Sequence, residues 1–392
     1  MKYRSDIMEN KRQKVEIADI FQSFEKEYYQ QYNMMHEQKK AFYAIKNCRT
    51  QELGGHILIC NHCGHVQHAY NSCRNRNCPK CQYLKQVVWV DKLKARLLPV
   101  KYFHIVFTIP SSLHKLFYTN QGICYDLLMK SASQAVIKAG ENPRFLGAKT
   151  GCVTILHTWG QALTYHPHVH LLVPAGGFDS DMIEWIQSED SFFAPVKALS
   201  SLFRGIFAQS LYTHADELIP DIDGKKTDID FLRKLIYKTR WNVFAKPALS
   251  NAENVIEYLG RYSHRVAISN ARILAIADDK VHFAWKDYRQ NGKSKVMKLR
   301  AVEFINRFMQ HVLPCGFYKI RYYGIFANTH CNDKLDTYLT INDKEMELSS
   351  IEGKDWQELV RDIFGYDPFS CKKCKKGKMI IQERIDAKPR AA

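Results

Sequence analysis

The sequence predicts an α+β protein, in which helices flank a central antiparallel sheet between a helical, ribbon-like N-terminal domain and a small β-rich C-terminal region. Runs rich in β-branched and aromatic residues predict strands at 102–109, 151–159 and 168–173. Apolar residues at helical spacing predict longer helical segments at 12–46, 82–98 and 113–139. Two closely spaced cysteine pairs predict the small ribbon that follows the first helical segment.

The strand after residue 167 is central to this prediction. Pro167 lacks the backbone N–H that a central strand needs, so we expect the strand to start only after it, at His168, and to end at Val173. Residues two apart in a strand point to the same face, which places His168 and His170 side by side. Two imidazoles held on a stiff strand make half of a divalent-metal site.

The later part of the chain gives a less even pattern. Residues 181–227 show weak periodicity, and residues 214–226 indicate an exposed polar insert. The Asn-Gly step at 291–292 predicts a β-hairpin turn. The further predicted elements are a basic amphipathic helix at 231–238, hairpin strands at 281–288 and 295–300, a helix at 301–313 and a strand at 317–326.

The charge balance points to a polyanionic partner. Lysine and arginine exceed aspartate and glutamate by 17, and the sequence pI is about 9.2. The first residues have no apolar signal-peptide core, and no run approaches the ~20 apolar residues that cross a bilayer. We therefore expect a soluble cytoplasmic protein with no membrane partner. In that compartment the twelve cysteines should be thiols or metal ligands.

Two Cys-x2-Cys pairs predict a tetrahedral structural zinc site of zinc-ribbon type, and its four ligands would be Cys60, Cys63, Cys78 and Cys81. Four thiolates leave no open position for water or substrate, so we expect a structural site that holds the basic loop with Arg74 and Arg76 towards the polyanionic partner. Spare ligands for a substitution or a second ion are Cys48, Cys73, His62, His65 and His68.

The C-terminal tail contains half of another zinc knuckle, at Cys371 and Cys374. Its partners could be His330 and Cys331, or ligands from the N-terminal domain. A basic tail without metal is the alternative.

A second motif lies about ninety residues beyond the histidine pair. Tyr258 and Tyr262 are four apart, so they share one face of a predicted helix. Arg261, His264 and Arg265 lie among them, which suits a face turned towards phosphate better than one packed in a core.

Together, the His-x-His and Tyr-x3-Tyr motifs are typical of HUH single-strand nucleases. The wider pattern, from about Cys48 to about Ala327, resembles the two-tyrosine rolling-circle transposases of bacterial insertion sequences. That family is related to Helitrons, plasmid replication initiators and relaxases. The motifs that carry the resemblance, in chain order, are Phe103-His104-Ile105-Val106-Phe107-Thr108-Ile109-Pro110, Trp159-Gly160-Gln161, residues 165–170 and residues 258–270.

The resemblance implies an HUH-type sheet and a DNA transposase that cuts and transfers single strands. We expect a zinc- and DNA-binding domain at 1–98, the nuclease domain at 99–275 and a C-terminal region with a basic tail at 276–392. The implied partner is single-stranded DNA at the element's ends and at its target. A host helicase is a candidate partner for exposing that strand in the nucleoid, and the oligomeric state is not predicted.

The resemblance also implies a catalytic Mg²⁺ or Mn²⁺ ion bound by His168, His170 and a third polar ligand. Gln161, in the turn before the histidines, is the first candidate for that ligand, and His264 and His166 are its rivals. His104 and His157 lie near the predicted site without an assigned role. Imidazole ligands favour Mn²⁺ over Mg²⁺, although the family is usually supplied with Mg²⁺.

Tyr258 and Tyr262 are then the nucleophiles, with Arg261 and Arg265 as DNA contacts. Each attack would leave a 5′-phosphotyrosine and a free 3′-hydroxyl. The covalent link conserves the ester energy, so rejoining needs no ATP.

Two other functions fit parts of the pattern. A plasmid replication initiator or relaxase would use the same chemistry, but the zinc-binding head and the Leu-Gly-Arg between the tyrosines favour the transposase. A zinc-ribbon regulator without catalysis would leave the histidine and tyrosine pairs unexplained.

Overall fold

The computed structural model describes residues 15–189, 193–219, 228–249, 267–287, 290–327, 329, 331–342 and 349–389. Its helices are α1 (Ile17–Gln31), α2 (His36–Lys46), α3 (Gln82–Lys94), α4 (His114–Thr119), α5 (Gln121–Glu141), α6 (Val196–Thr213), α7 (Ile229–Lys238), α8 (Ala301–Met309), α9 (Cys331–Ile341) and α10 (Trp356–Phe364). Its strands are β1 (Gly55–Cys60), β2 (Val66–Tyr70), β3 (Tyr102–Thr108), β4 (Gly151–Trp159), β5 (Tyr165–Pro174), β6 (Gly176–Phe178), β7 (Trp185–Gln187), β8 (Asn242–Leu249), β9 (Ile273–Ala277), β10 (Lys280–Asp287), β11 (Lys293–Arg300), β12 (Ile320–Gly324) and β13 (Met379–Ile385).

Strand β5 is the middle strand of a five-stranded sheet with the order β12-β4-β5-β3-β8. Its pairings with β4 and β3 are antiparallel, and the two outer pairings are antiparallel as well. One edge strand, β12, comes from the strand predicted at 317–326, whereas β8 lies where no strand was predicted. The antiparallel sheet and its flanking helices confirm the α+β class.

The expectation that the strand starts after Pro167 is wrong, because β5 already contains this proline. The pairing with β3 reaches only Thr108, opposite His168, and so does not extend to Pro167. On the other side, the register of β4 shifts between His157 and Trp159. The ladder is therefore irregular next to Pro167, and the missing N–H interrupts no regular pair.

Helices α4, α5 and α6 cover one face of the central sheet. Val169 and Leu171 of β5 belong to the same buried core as Phe203 and Phe207 of α6. Helix α6 was missed in the sequence, because it lies within the stretch whose periodicity was weak. Its buried residues nevertheless recur every four positions, which places them on one helical face against the sheet.

Two smaller units surround the sheet. Helices α1 and α2 replace the single predicted segment at 12–46 and share a core with α8 and with β9 and β10. In that core, Phe21 stacks on Phe42 at 4.6 Å between ring centroids and meets Phe308 edge-on at 5.5 Å. The ribbon is a three-stranded sheet with the order β13-β1-β2, so its third strand comes from the C-terminal segment. No helix among the described residues is apolar over a length that would cross a bilayer.

Candidate metal centres and nucleic-acid site

Three histidines meet on the face of the central sheet opposite α5. His157 of β4 pairs directly with His168 of β5, and His170 follows two residues later on the same face. One ring nitrogen from each histidine lies within 4.8 Å of the other two. Ring centroids are 5.4 Å apart for His157 and His168, 4.4 Å for His157 and His170, and 4.9 Å for His168 and His170. This spacing suits three imidazoles that bind one ion.

Hydrogen bonds orient two of these rings. His168 donates from Nδ1 to the backbone carbonyl of His166 at 2.7 Å, which directs Nε2 towards a metal ion. His170 Nδ1 is 2.8 Å from His104 Nε2, and the two rings are nearly parallel, with 4° between their planes. The nitrogen of His170 that is left to bind an ion is therefore also Nε2. His104 is a positioning residue in this arrangement, because it holds the plane of a ligand ring.

Burial keeps these rings in the uncharged form that binds metal. Desolvation lowers the pKa of His168 to about 4 and holds the pKa of His170 well below its usual range. Desolvation, with a smaller contribution from Lys246, also lowers the pKa of His104 to about 4. Neutral imidazoles have a lone pair to donate, so the site needs no deprotonation before an ion binds at neutral pH.

His157 was placed near the site from the sequence but was given no role there. The sequence contained a signal for a role of His157. If the strands at 151–159 and 168–173 pair, each histidine of the later strand has one residue of the earlier strand opposite it. Gln161 does lie in the turn between β4 and β5, where its backbone carbonyl accepts a hydrogen bond from Arg272 Nη2 at 2.7 Å. The role of Gln161 as third metal ligand stays a prediction, and His157 is a second candidate for the same position.

Several predicted residues lie outside the described part of the chain. They are the nucleophiles Tyr258 and Tyr262, the DNA contacts Arg261 and Arg265, and the rival ligand His264. His166, the other rival ligand, is described: its carbonyl accepts the hydrogen bond from His168.

The cysteines form two clusters, which corrects the predicted set of Cys60, Cys63, Cys78 and Cys81. Cys78 and Cys81 join the spare candidates Cys48 and Cys73, whereas Cys60 and Cys63 join the tail pair. The cause is the β13–β1 pairing, which brings the C-terminal segment beside the first cysteine pair. Spacing along the chain could not reveal which pairs meet.

The first cluster, which comprises Cys48, Cys73, Cys78 and Cys81, fits a structural zinc ion. Sulfur atoms are 3.5 Å apart for Cys48 and Cys81, and 3.7 Å apart for Cys73 and Cys81. Around tetrahedral zinc with bonds of about 2.3 Å, neighbouring sulfurs lie about 3.8 Å apart. Cys48 and Cys78 are also buried in the core of α1, α2 and α8. Zinc here would join the N-terminal helices to the rest of the protein.

A cationic cleft adjoins the histidine site. Arg76, Trp159 and Lys319 line it, and the Trp159 ring stacks on His157 at 4.9 Å. Burial, and then the nearby Arg76 charge, lower the pKa of Lys319 to about 7. Arg76 is held by a 2.7 Å hydrogen bond from Nη1 to the Phe317 carbonyl. Arg74, by contrast, is exposed.

Replacing His104 tests its positioning role. In His104→Leu, we expect the affinity for Mn²⁺ to fall about 10- to 100-fold, because the ring of His170 loses the partner that fixes its plane. His104→Gln should lose less, since its amide oxygen can still accept from His170. Mn²⁺ titration of cleavage checks this: the maximal rate should return at high Mn²⁺. A loss that no Mn²⁺ concentration restores would contradict the positioning role.

Two family models match this chain. Residues 151–334 match a family model described as "Putative transposase", and residues 20–109 match one described as "Transposase zinc-binding domain". All four cysteines of the first cluster lie within the second match.

Two relatives are similar over most of the chain. "Putative transposase y4qJ" of Sinorhizobium fredii (strain NBRC 101917 / NGR234) is 40% identical over 380 residues, which cover 95% of this chain and 96% of the relative. "Transposase for insertion sequence element IS801" of Pseudomonas savastanoi pv. phaseolicola is 28% identical over 343 residues, with coverages of 83% and 79%. No solved structure matches the chain. The chain therefore belongs to the family of insertion-sequence transposases that carry an IS91-type zinc-binding domain.

Proposed function

We propose that this transposase is an HUH-type enzyme that cuts and transfers single-stranded DNA by a rolling-circle mechanism, with tyrosine nucleophiles and a divalent ion. The observation that carries the proposal is the convergence of His157, His168 and His170 on one face of the central sheet. A structural role alone gives no reason for three imidazoles, two of them buried and one half-buried, to bring their nitrogens to one point.

The chain's own residues fit Mn²⁺ better than Mg²⁺, because imidazole nitrogen suits transition ions and Mg²⁺ prefers oxygen ligands. Three neutral imidazoles would hold the ion and leave further coordination positions for phosphate oxygens. When bound, such an ion supplies positive charge at the scissile phosphate and helps to align it. His104 and the carbonyl of His166 fix the rings, so the ligand geometry exists before DNA arrives.

The nucleophile in this proposal is Tyr258 or Tyr262. Its hydroxyl loses a proton, its oxygen bonds to phosphorus and the P–O3′ bond breaks, which yields a 5′-phosphotyrosine and a 3′-hydroxyl. Attack by an acceptor 3′-hydroxyl reverses the step and releases the tyrosine. Two tyrosines allow one to hold a cut end while the other attacks a second strand.

The described chain on either side of residues 250–266 supports this assignment. Before it, Leu249 of β8 pairs with Tyr102, at the end of β3 that lies opposite Pro174. After it, Ala267 lines the cationic cleft together with Trp159, near the other end of β5. The described residues that flank the two tyrosines in sequence therefore lie near the two ends of the strands that carry the histidines.

Two residues of the cationic cleft suit contacts to a single strand. Arg76 offers positive charge to a phosphate, and Trp159 offers a ring on which a base can stack. The zinc-bound loop between Cys73 and Cys78 carries Arg76, so the first cysteine cluster would place this contact beside the catalytic ion.

Tyrosine variants test the proposal directly. The double variant Tyr258→Phe/Tyr262→Phe keeps both rings but lacks both nucleophiles, so we expect no covalent protein–DNA adduct. The substrate is a single-stranded oligonucleotide from the element's own end, labelled at its 3′ end because that fragment stays on the protein. The assay is a denaturing gel with Mn²⁺ present.

Tyr366→Phe is the matched control, because Tyr366 is 53% exposed and lines neither the histidine site nor the cationic cleft. It should form the adduct as the unaltered protein does. One of the two single variants should form a first adduct but fail to complete strand transfer. An adduct of undiminished yield in the double variant would reject the tyrosine mechanism.

A further inference from the structure

We propose that Cys60, Cys63, Cys371 and Cys374, here called the terminal cluster, bind a second structural zinc ion that joins the two ends of the chain. Their sulfur atoms all lie within 4.8 Å of one another. The separations are 3.7 Å for Cys60 and Cys374, and 3.8 Å for Cys63 and Cys371. Sulfurs bound to tetrahedral zinc at about 2.3 Å lie about 3.8 Å apart. These cysteines are not disulfide-bonded.

The two halves of the terminal cluster share one backbone shape. In each half the residue after the second cysteine donates to the carbonyl of the first: Gly64 to Cys60 at 3.1 Å, and Lys375 to Cys371 at 2.9 Å. Both donors have left-handed backbone angles, with φ of 66° and 58°. A lysine in that conformation is strained, and the matching turn of a metal knuckle gives a reason for it.

Backbone N–H groups also point at the sulfurs. His62 and Cys63 donate to the sulfur of Cys60 at 3.4 and 3.5 Å, and Gly377 donates to the sulfur of Cys374 at 3.3 Å. Such donors favour negatively charged sulfur, which is the form that binds metal. The turns are therefore shaped for thiolate ligands.

Gly377 lets the two halves approach closely. A Cβ atom at this position would lie 2.5 Å from the sulfur of Cys60 and 2.6 Å from the Cβ of His62. Two hydrogen bonds between Asn61 and Lys378 hold the halves together. The Asn61 backbone N–H donates to the Lys378 carbonyl at 3.1 Å, and the Lys378 N–H donates to the Asn61 side-chain oxygen at 2.9 Å.

The ribbon has little else to stabilise it. Its buried core comprises only Leu58, Cys60, Cys371 and Met379 among the described residues. A three-stranded sheet with so small a core usually needs a metal or disulfides. Zinc at the terminal cluster supplies that stabilisation, and it attaches β13 to the N-terminal ribbon.

This site goes beyond the zinc-binding domain identified by comparison. That match spans residues 20–109 and contains Cys60 and Cys63 but not Cys371 and Cys374. The first cluster accounts for one ion within the matched segment. The terminal cluster adds an ion whose ligand set is complete only when the C-terminal segment is present.

Zinc content of the purified full chain tests the inference. We expect two zinc ions per chain by elemental analysis, and one in Cys371→Ser/Cys374→Ser. Cys315→Ser, which removes an exposed cysteine outside both clusters, should retain two. One ion in the unaltered protein, or two in the double variant, would overturn the inference.

A glycine variant keeps the test decisive if the serine variant does not fold. Gly377→Ala retains every thiol but forces the two halves apart, so we expect one zinc ion to dissociate at least 10-fold more readily in a chelator competition. Gly205→Ala in α6 is the control, because a Cβ there meets no atom within 4 Å. Equal zinc release from both variants would contradict the terminal site. Neither measurement depends on DNA cleavage, so failure here leaves the tyrosine mechanism untouched.

Discussion

Alanine at His157, His168 or His170 is expected to lower metal-dependent cleavage of single-stranded DNA by about 10³-fold. Each variant removes one of three ligands whose nitrogens lie within 4.8 Å of each other. A bound ion contributes several kcal/mol to such a transition state, and about 4 kcal/mol corresponds to about 10³-fold in rate. The measurement combines single-turnover cleavage with Mn²⁺ binding by calorimetry. Both should fall together.

Two further variants sharpen this test. His36→Ala is the matched control, because His36 is exposed and distant in sequence from the site. Gln161→Ala separates the two candidates for third ligand: we expect less than about a 10-fold loss if His157 fills that place. Normal Mn²⁺ binding by His157→Ala, with binding lost in Gln161→Ala, would instead assign the ligand to Gln161.

Cys48→Ser is expected to abolish the folded state of the N-terminal region. The apparent free energy of structural zinc binding is about 10–16 kcal/mol in small zinc-dependent domains, which is comparable to the entire stability of a protein domain. Cys48 is buried in the core of α1, α2 and α8, so the variant also places a serine hydroxyl in an apolar environment. Limited proteolysis should cut the variant within residues 17–98.

Zinc chelation should reproduce this cleavage pattern in the unaltered protein. Cys152→Ala is the control for the loss of a buried sulfur, because Cys152 is fully buried in β4 but belongs to neither cluster. The Cys152→Ala protein should lose only packing that does not depend on zinc, and it should retain its zinc. A Cys48→Ser protein with unaltered proteolysis and full zinc content would contradict the assignment.

The histidine face could be predicted from the sequence because its signals are local. Alternation places His168 and His170 on one face, whichever strands lie beside them. The strand at 151–159 was also predicted with its observed bounds. Prediction of the third imidazole requires the register between the two strands. The sequence does not give this register directly, but the length of the hairpin turn nearly determines it.

Two of the errors have a different cause, which is contact between distant segments. The pairing of Cys60 with Cys374 depends on β13 reaching back to β1, and strand β8 depends on a neighbouring strand to complete its hydrogen bonds. Pro167 is tolerated because of an irregular register that only the assembled sheet shows. Local spacing therefore indicated which cysteines and histidines cluster better than it indicated which of them belong to one cluster.

Strand β12 has a consequence for how the chain folds during its synthesis. It covers the outer edge of β4, with Ile320 opposite Ile155, although the ribosome completes it more than 150 residues after the histidines. A fragment that ends before this strand leaves β4 as a bare edge, open to wrong pairing and unable to hold His157 firmly. A prematurely terminated product without β12 is therefore expected to lose the geometry of the histidine site.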